Sequence, residues 1–263
     1  MTTAKRTLKL LEENPDARPK PRKPSFAGRF RAGMQLNNRP VALSNWRVTT
    51  GDPEVADAIA SLYGGKSESW ETTKEDALQV LTEKDSVQVV INNADAVTFR
   101  MALYGMQGPI HLCDGYTFVD PEDAQFGKPC GCPADLRAKK DGAKAGKLPK
   151  PDIAVKFHLA DAPDRGMFRL MTGSWDFLKT LETVWADLDA VGGPALCTLK
   201  LDLVDFWSDN LGKQITYRRP QLIVHGPDSS VDSRITAAER QTAKPVSLAN
   251  VTTEDEPTDE PPF

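Results

Sequence analysis

The strongest constraint on this chain is a pair of short chelating motifs, His111-Leu-Cys113 and Cys130-Gly-Cys132-Pro133, whose cysteines at 113 and 130 lie seventeen positions apart. Side chains two residues apart on an extended segment point to the same side, so each motif presents two soft or borderline ligands together. Four such nitrogen and sulfur ligands complete one tetrahedral zinc site, and Gly131 lets the second pair turn tightly around a small ion. His111, Cys113, Cys130 and Cys132 are the candidate zinc ligands, with Asp114 the alternative to His111 in the fourth position. Four protein ligands leave no open position for water, so the zinc is expected to be structural rather than catalytic. Cysteine also serves as a plain buried apolar residue. Cys197, within the strand-like run Ala-Leu-Cys-Thr-Leu-Lys-Leu, is expected to do so.

A chain of 263 residues with an apolar share of 40% can bury a real core. Its net charge of −4 is unevenly spread: residues 5–31 carry nine Lys or Arg against three acids, and residues 228–263 carry eight acids against three bases. This polarity predicts interaction tails rather than a wholly basic nucleic-acid binder. The N-terminus has no apolar leader, and no apolar run approaches the length of a membrane span, so a cytoplasmic protein without membrane contact is expected. The sparse cysteines agree with a reducing compartment.

Three regions follow from composition. Residues 1–25 form a basic arm in which Arg18-Pro-Lys-Pro-Arg-Lys-Pro24 favours an extended backbone; it is either an electrostatic arm for phosphates or an acidic protein surface, or a soluble linker. Residues 26–225 hold the folded region, with the zinc loop at 109–135. Residues 226–263 end in Glu254-Asp-Glu-Pro-Thr-Asp-Glu-Pro-Pro-Phe263, an acidic composition that predicts a disordered tail.

Within the folded region, residues 26–50 predict two short strands joined at Asn37-Asn38. Asp52-Pro53-Glu54 supplies an N-cap, a proline at the first helical position and a first-turn acid; Val55, Ala58, Ile59 and Leu62 form the apolar face, and Gly64-Gly65 ends the helix. Strands are predicted around Leu78–Thr82, Val87–Ile91 and Val97–Leu103, then Ile153–Leu159 and Phe168–Thr172. Residues 134–150 predict a short helix and an exposed basic loop, either a solvated face or a contact for a partner or phosphates. Ser174 caps a second helix with Trp175, Leu178, Leu181, Val184, Trp185 and Leu188 on one side. A long hairpin, Leu196–Phe206 with Gln214–Val224, turns at Asp209-Asn210. The expected class is α+β: mainly antiparallel strands, two principal helices, a zinc-stabilised loop and flexible tails.

Catalytic chemistry is not indicated. Gly64-Gly65-Lys66-Ser67 has the wrong glycine spacing for a phosphate loop and follows a helix instead of opening one. Thr172-Gly-Ser174-Trp lacks the glycine pattern of a nucleophile elbow, and Ser174 is explained as a cap. A non-enzyme with no small-molecule substrate is expected.

Gly28-Arg-Phe, Arg39-Pro-Val-Ala-Leu, Trp46-Arg-Val-Thr-Thr, Gly64-Gly65 with Trp70, Cys113-Asp-Gly, Cys130-Gly-Cys132-Pro and Leu159-Ala-Asp-Ala-Pro with Gly173-Ser-Trp175 occur in an order that resembles the actinophage recombination directionality factors, partners of large serine integrases. The resemblance runs from about residue 26 to 225, and its three cysteines imply ligands, with no catalytic residue carried over. One departure stands out. That family tends to place a further cysteine before the strand that follows the basic loop, where this chain has Leu148-Pro149-Lys150-Pro151; His111 then becomes the substitute ligand, or the metal site is weakened or lost. The resemblance implies a phage or prophage protein that binds a large serine integrase on attachment-site DNA. It would switch DNA recombination from attP × attB integration to attL × attR excision, with DNA contact secondary. The alternative is a zinc-stabilised DNA-binding phage accessory protein.

Overall fold

Alternating apolar residues place one face of a large, mostly antiparallel sheet against two helices. In the computed structural model, residues 26–228 are described apart from 37–38, 71, 73–75 and 210–211. The expected basic arm, all but the first residues of the acidic tail, the Asn37-Asn38 turn and part of the Asp209-Asn210 turn lie outside the described residues.

The strands are β1 (Gly28–Leu36), β2 (Arg39–Thr50), β3 (Ser67–Ser69), β4 (Leu78–Leu81), β5 (Ser86–Ile91), β6 (Val97–Gly105), β7 (Gly108–Cys113), β8 (Lys150–Leu159), β9 (Met167–Thr172), β10 (Ala195–Ser208) and β11 (Lys213–Pro227). The helices are α1 (Pro53–Tyr63), α2 (Leu136–Lys144), α3 (Trp175–Leu178) and α4 (Leu181–Val191). Hydrogen bonding orders the sheet β11-β10-β5-β8-β9-β1-β2-β4-β3, with β6 and β7 branching from β8. Among the described residues, β1 with β9 is the one parallel pair; Arg29 stands beside Arg169 there. One edge of β8 is divided. Its end pairs with β5 at Val89 and Val90, and its start pairs with β6 from Lys150 to Val155. That division lifts the β6–β7 hairpin out as a branch.

The period of two is visible in β8, where Ile153, Val155, Phe157 and Leu159 are buried and the residues between them are partly exposed. Phe30 sits at the centre of the core, edge-on to Trp46, Phe157 and Phe168 at centroid distances of 5.7, 5.3 and 5.8 Å. Leu181, Val184 and Leu188 of α4 join the same cluster, as does Cys197, whose thiol is pushed up to about 12 by burial. On the opposite face, Arg29 and Arg31 donate to Asp76 at 3.0 and 3.2 Å, and the Thr49 hydroxyl donates to it at 2.8 Å. Burial opposes ionisation of Asp76, but these donors outweigh it and hold the carboxyl below its ordinary range.

Several expectations needed adjustment. The Asp52 side chain accepts from the Glu54 amide as the cap requires, yet the buried face of α1 is Val55, Ala56, Ile59 and Tyr63. Ala58 and Leu62 are only partly buried, because the helix rolls to bring Tyr63 inward. The strands of residues 26–50 are 9 and 12 residues long, not short. β3 carries no apolar alternation, and its burial pattern is exposed throughout, so its composition gave no strand signal. The second helix is two pieces: the Thr180 amide and hydroxyl both donate to the Phe177 carbonyl, at 3.0 and 2.8 Å, closing a tighter turn between α3 and α4. The break turns Trp175 away from the α4 stripe. It packs instead on the cysteine cluster.

Candidate metal centre

The site grows from the branch hairpin. His111 and Cys113 alternate on β7, so both side chains leave the same face of the strand, while Leu112 faces the other way. The opposing pair is delivered by the loop that follows. Gly115, at φ 102, allows the sharp Asp114–Thr117 turn, and Phe118 returns to bridge Cys113. The Cys130 amide then donates to the Tyr116 carbonyl at 2.8 Å, and Gly131, at φ 74, reverses the chain between the two cysteines.

This brings His111, Cys113, Cys130 and Cys132 together, with one ligand atom from each lying within 4.8 Å of the others. The Cys113 and Cys132 sulfurs are 3.9 Å apart, and Cys132 Sγ is 3.6 Å from His111 Nε2. A tetrahedral ion with bonds of about 2.3 Å to sulfur and about 2.0 Å to nitrogen requires edges of about 3.8 and 3.5 Å. Those two edges match a four-coordinate site, and the four residues lie close enough together to hold a metal ion.

The electrostatics point the same way. Burial pushes the Cys113 thiol up to about 12, reinforced by the neighbouring Cys132 and Cys130 against a Gly115 amide hydrogen bond. Burial likewise raises Cys132, again with Cys130 adding. Thiols so placed keep their protons unless a cation replaces them. Burial also lowers His111, against the pull of Asp123, which favours the neutral imidazole that ligates metal. All three cysteines are free thiols, so no disulfide closes the loop.

The surroundings form a second small core, separate from the main one. Met101, Cys113, Phe118 and Cys130 are buried together, with Phe99, Cys132 and Trp175 packed against them. Phe118 lies against the His111 ring at a centroid distance of 4.8 Å and fixes its orientation. Sequence reading did not single out Phe118, because an aromatic residue in a polar loop carries no periodic signal, and it placed Phe99, Met101 and Trp175 on their elements without linking them to the cysteines. It also read residues 134–150 as a solvated face. Asp135 does cap α2, accepting from Ala138 at 2.7 Å. Lys139, however, is buried, its ammonium 4.4 Å from the centroid of the Tyr116 ring, and it ties α2 to the loop.

Asp114 is not available as a ligand in this arrangement. One carboxylate oxygen accepts from the Tyr116 and Thr117 amides at 2.8 and 2.7 Å, and the other accepts from the Thr117 hydroxyl at 2.9 Å. It braces the turn, leaving the fourth position to His111. Asp114→Ala is expected to cost about 1–2 kcal/mol of stability while retaining full metal stoichiometry, whereas His111→Ala should surrender metal to a mild chelator. Metal analysis after chelator dialysis separates the two.

Fold and site together define a strand-rich α+β protein with a closed four-residue cluster built into its packing. Among the described residues, no helix is long and apolar enough to cross a membrane. The model of the Gp3-like family, recombination directionality factor-like, matches residues 27–219. The chain belongs to that family. No solved structure matches it.

Proposed function

We propose that the protein is a phage recombination directionality factor that binds a large serine integrase on attachment-site DNA and switches it from attP × attB integration to attL × attR excision. The family match across residues 27–219 carries this reading. The actinophage resemblance of Cys113-Asp-Gly and Cys130-Gly-Cys132-Pro extends it to serine integrases. In this reading the protein performs no catalysis and acts in the cytoplasm of the bacterial host.

Zinc is the ion assigned to His111, Cys113, Cys130 and Cys132, because a clustered set of three thiolates and one imidazole suits it and leaves no position for substrate. When bound, it would hold β7 to the 114–135 loop. The switch itself is a population shift. A factor that binds the excision-competent integrase arrangement more tightly than the inhibited one, by about 1.4 kcal/mol, changes their ratio about tenfold.

Gel-shift titration on attL and attR fragments tests the contact. A complex that slows further only when integrase is present supports the reading. Steeply salt-dependent DNA binding by this protein alone would instead favour the accessory DNA-binding role.

A further inference from the structure

We infer that the face of the sheet opposite the helices, where Lys156, Arg169 and Arg29 stand side by side on β8, β9 and β1, is a contact surface for the phosphate backbone of DNA. The inference rests on the reading above, in which the protein meets its integrase on attachment-site DNA. Phe157, Phe168 and Phe30 point into the core, so their neighbours Lys156, Arg169 and Arg29 share the opposite face. Register sets Lys156 opposite Arg169 and Arg169 beside Arg29. Two residues along β1, Arg31 stands opposite Arg47.

Like charges directly across neighbouring strands repel and destabilise a sheet, and an anion between them offsets this. Asp76 is that anion at the β1–β2 end, where it is bonded to Arg29 and Arg31. The β8–β9 end has no equivalent among the described residues. Arg169 makes no hydrogen bond or ion pair there, and its Nε is shielded from solvent without a partner. Asp152 attracts it but is already engaged by Arg100 and Tyr104, at 2.9 and 3.0 Å. Burial, then Arg29 and Arg31, lowers the Arg169 guanidinium against that attraction. Lys156 also lacks an ion pair among the described residues, although Asp95 lines the same hollow. Two rings set the direction of the guanidiniums: Phe26 lies 4.8 Å from that of Arg169, and Trp70 lies 4.3 Å from that of Arg47. A guanidinium held against a ring keeps N–H edges for an oxyanion.

Charge and spacing decide the occupant. Residues 5–31 carry nine Lys or Arg against three acids, and that basic stretch runs through Phe26, whose ring lies against Arg169. Strands about 4.8 Å apart make the row from Lys156 to Arg29 about 10 Å long. A duplex presents one phosphate charge per about 1.7 Å of axis, so the row meets several phosphates at once. An ordinary protein surface, with both signs interspersed, offers no such density. So few contacts add little on free DNA at physiological salt. They count once the integrase holds the protein beside the duplex, which makes the contact intramolecular.

The test compares the affinity of the full-length, metal-loaded protein for the integrase alone and for the integrase on attL DNA, by biolayer interferometry over a range of salt. The variants are Lys156→Gln and Arg169→Gln, singly and together. Lys144→Gln with Lys147→Gln, at the end of α2 and in the loop after it, controls for the same change of charge. The wild-type protein should gain affinity on DNA, and the gain should shrink with salt. Each face variant should reduce that gain, with a salt slope shallower by about one per cation removed. Affinity for the integrase alone and melting temperature should stay as in wild type, and the control should behave as wild type throughout. Lys156→Gln carries the test by itself if Arg169→Gln melts lower. No gain on DNA in the wild type, an undiminished gain in the double variant, or an equal loss in the control overturns the proposal. A loss of the same size without DNA also overturns it and assigns the face to an acidic surface of the integrase. If the wild type binds the integrase under neither condition, the integrase reading fails and the face is judged on a plain duplex at low ionic strength. There, weaker binding by the double variant retains the proposal, and equal binding overturns it.

Discussion

Replacing Cys113 with Ser is expected to abolish metal retention and to loosen the whole 109–135 segment. Cys113 is fully buried, pairs with Met101 across the hairpin and lies 3.9 Å from Cys132, so it is both ligand and packing residue. Serine keeps the size but is a poor ligand for a borderline ion and leaves a hydroxyl without its own partner. If free metal exceeds its dissociation constant about a thousandfold, the lost binding alone lowers stability by about 4 kcal/mol. Chelator treatment of the wild-type protein should produce the same drop, and adding the two changes should give no further loss. Thermal unfolding with parallel metal analysis reads both. A variant that keeps the metal and melts as wild type would show that Cys113 is a core residue only.

Phe30→Ala is the second large effect, and it acts through the other core. Phe30 is 1% exposed and makes edge contacts with three aromatic rings from β2, β8 and β9. Removing it leaves a cavity that Trp46, Phe157 and Phe168 cannot close while anchored on separate strands. A loss of about 3–5 kcal/mol is expected. Because β1 also makes the parallel pair with β9, the whole sheet should loosen together, in one transition by far-ultraviolet circular dichroism. Metal affinity should stay near wild type wherever the variant remains folded, since the cluster packs on Met101, Phe118 and Trp175 instead.

The contrast between these two substitutions also marks what a sequence can disclose. The metal cluster was readable because both ligand pairs are local: His111 and Cys113 share a strand face, and Cys130 and Cys132 share one turn. The α1 cap was readable for the same reason, since Asp52 and Glu54 meet within one turn. Local chemistry does not reveal that β8 divides its edge between β5 and β6, or that β1 finds β9 far along the chain. Those pairings are chosen by total burial. Lys139 illustrates the failure on a single residue. In sequence it belongs to a basic run, but Tyr116, brought round by the Asp114 turn, covers it. The split between α3 and α4 was hidden likewise, because Trp175 and Leu181 fit one helical stripe on paper, and only the Thr180 turn separates them.

The measurement that tests the central claim most directly is recombination in a purified system with a candidate large serine integrase, scoring attL × attR and attP × attB substrates in separate reactions. The account predicts that adding the metal-loaded protein turns on the first reaction and suppresses the second. Unchanged levels of both reactions with an integrase that binds the protein on attachment-site DNA would contradict it.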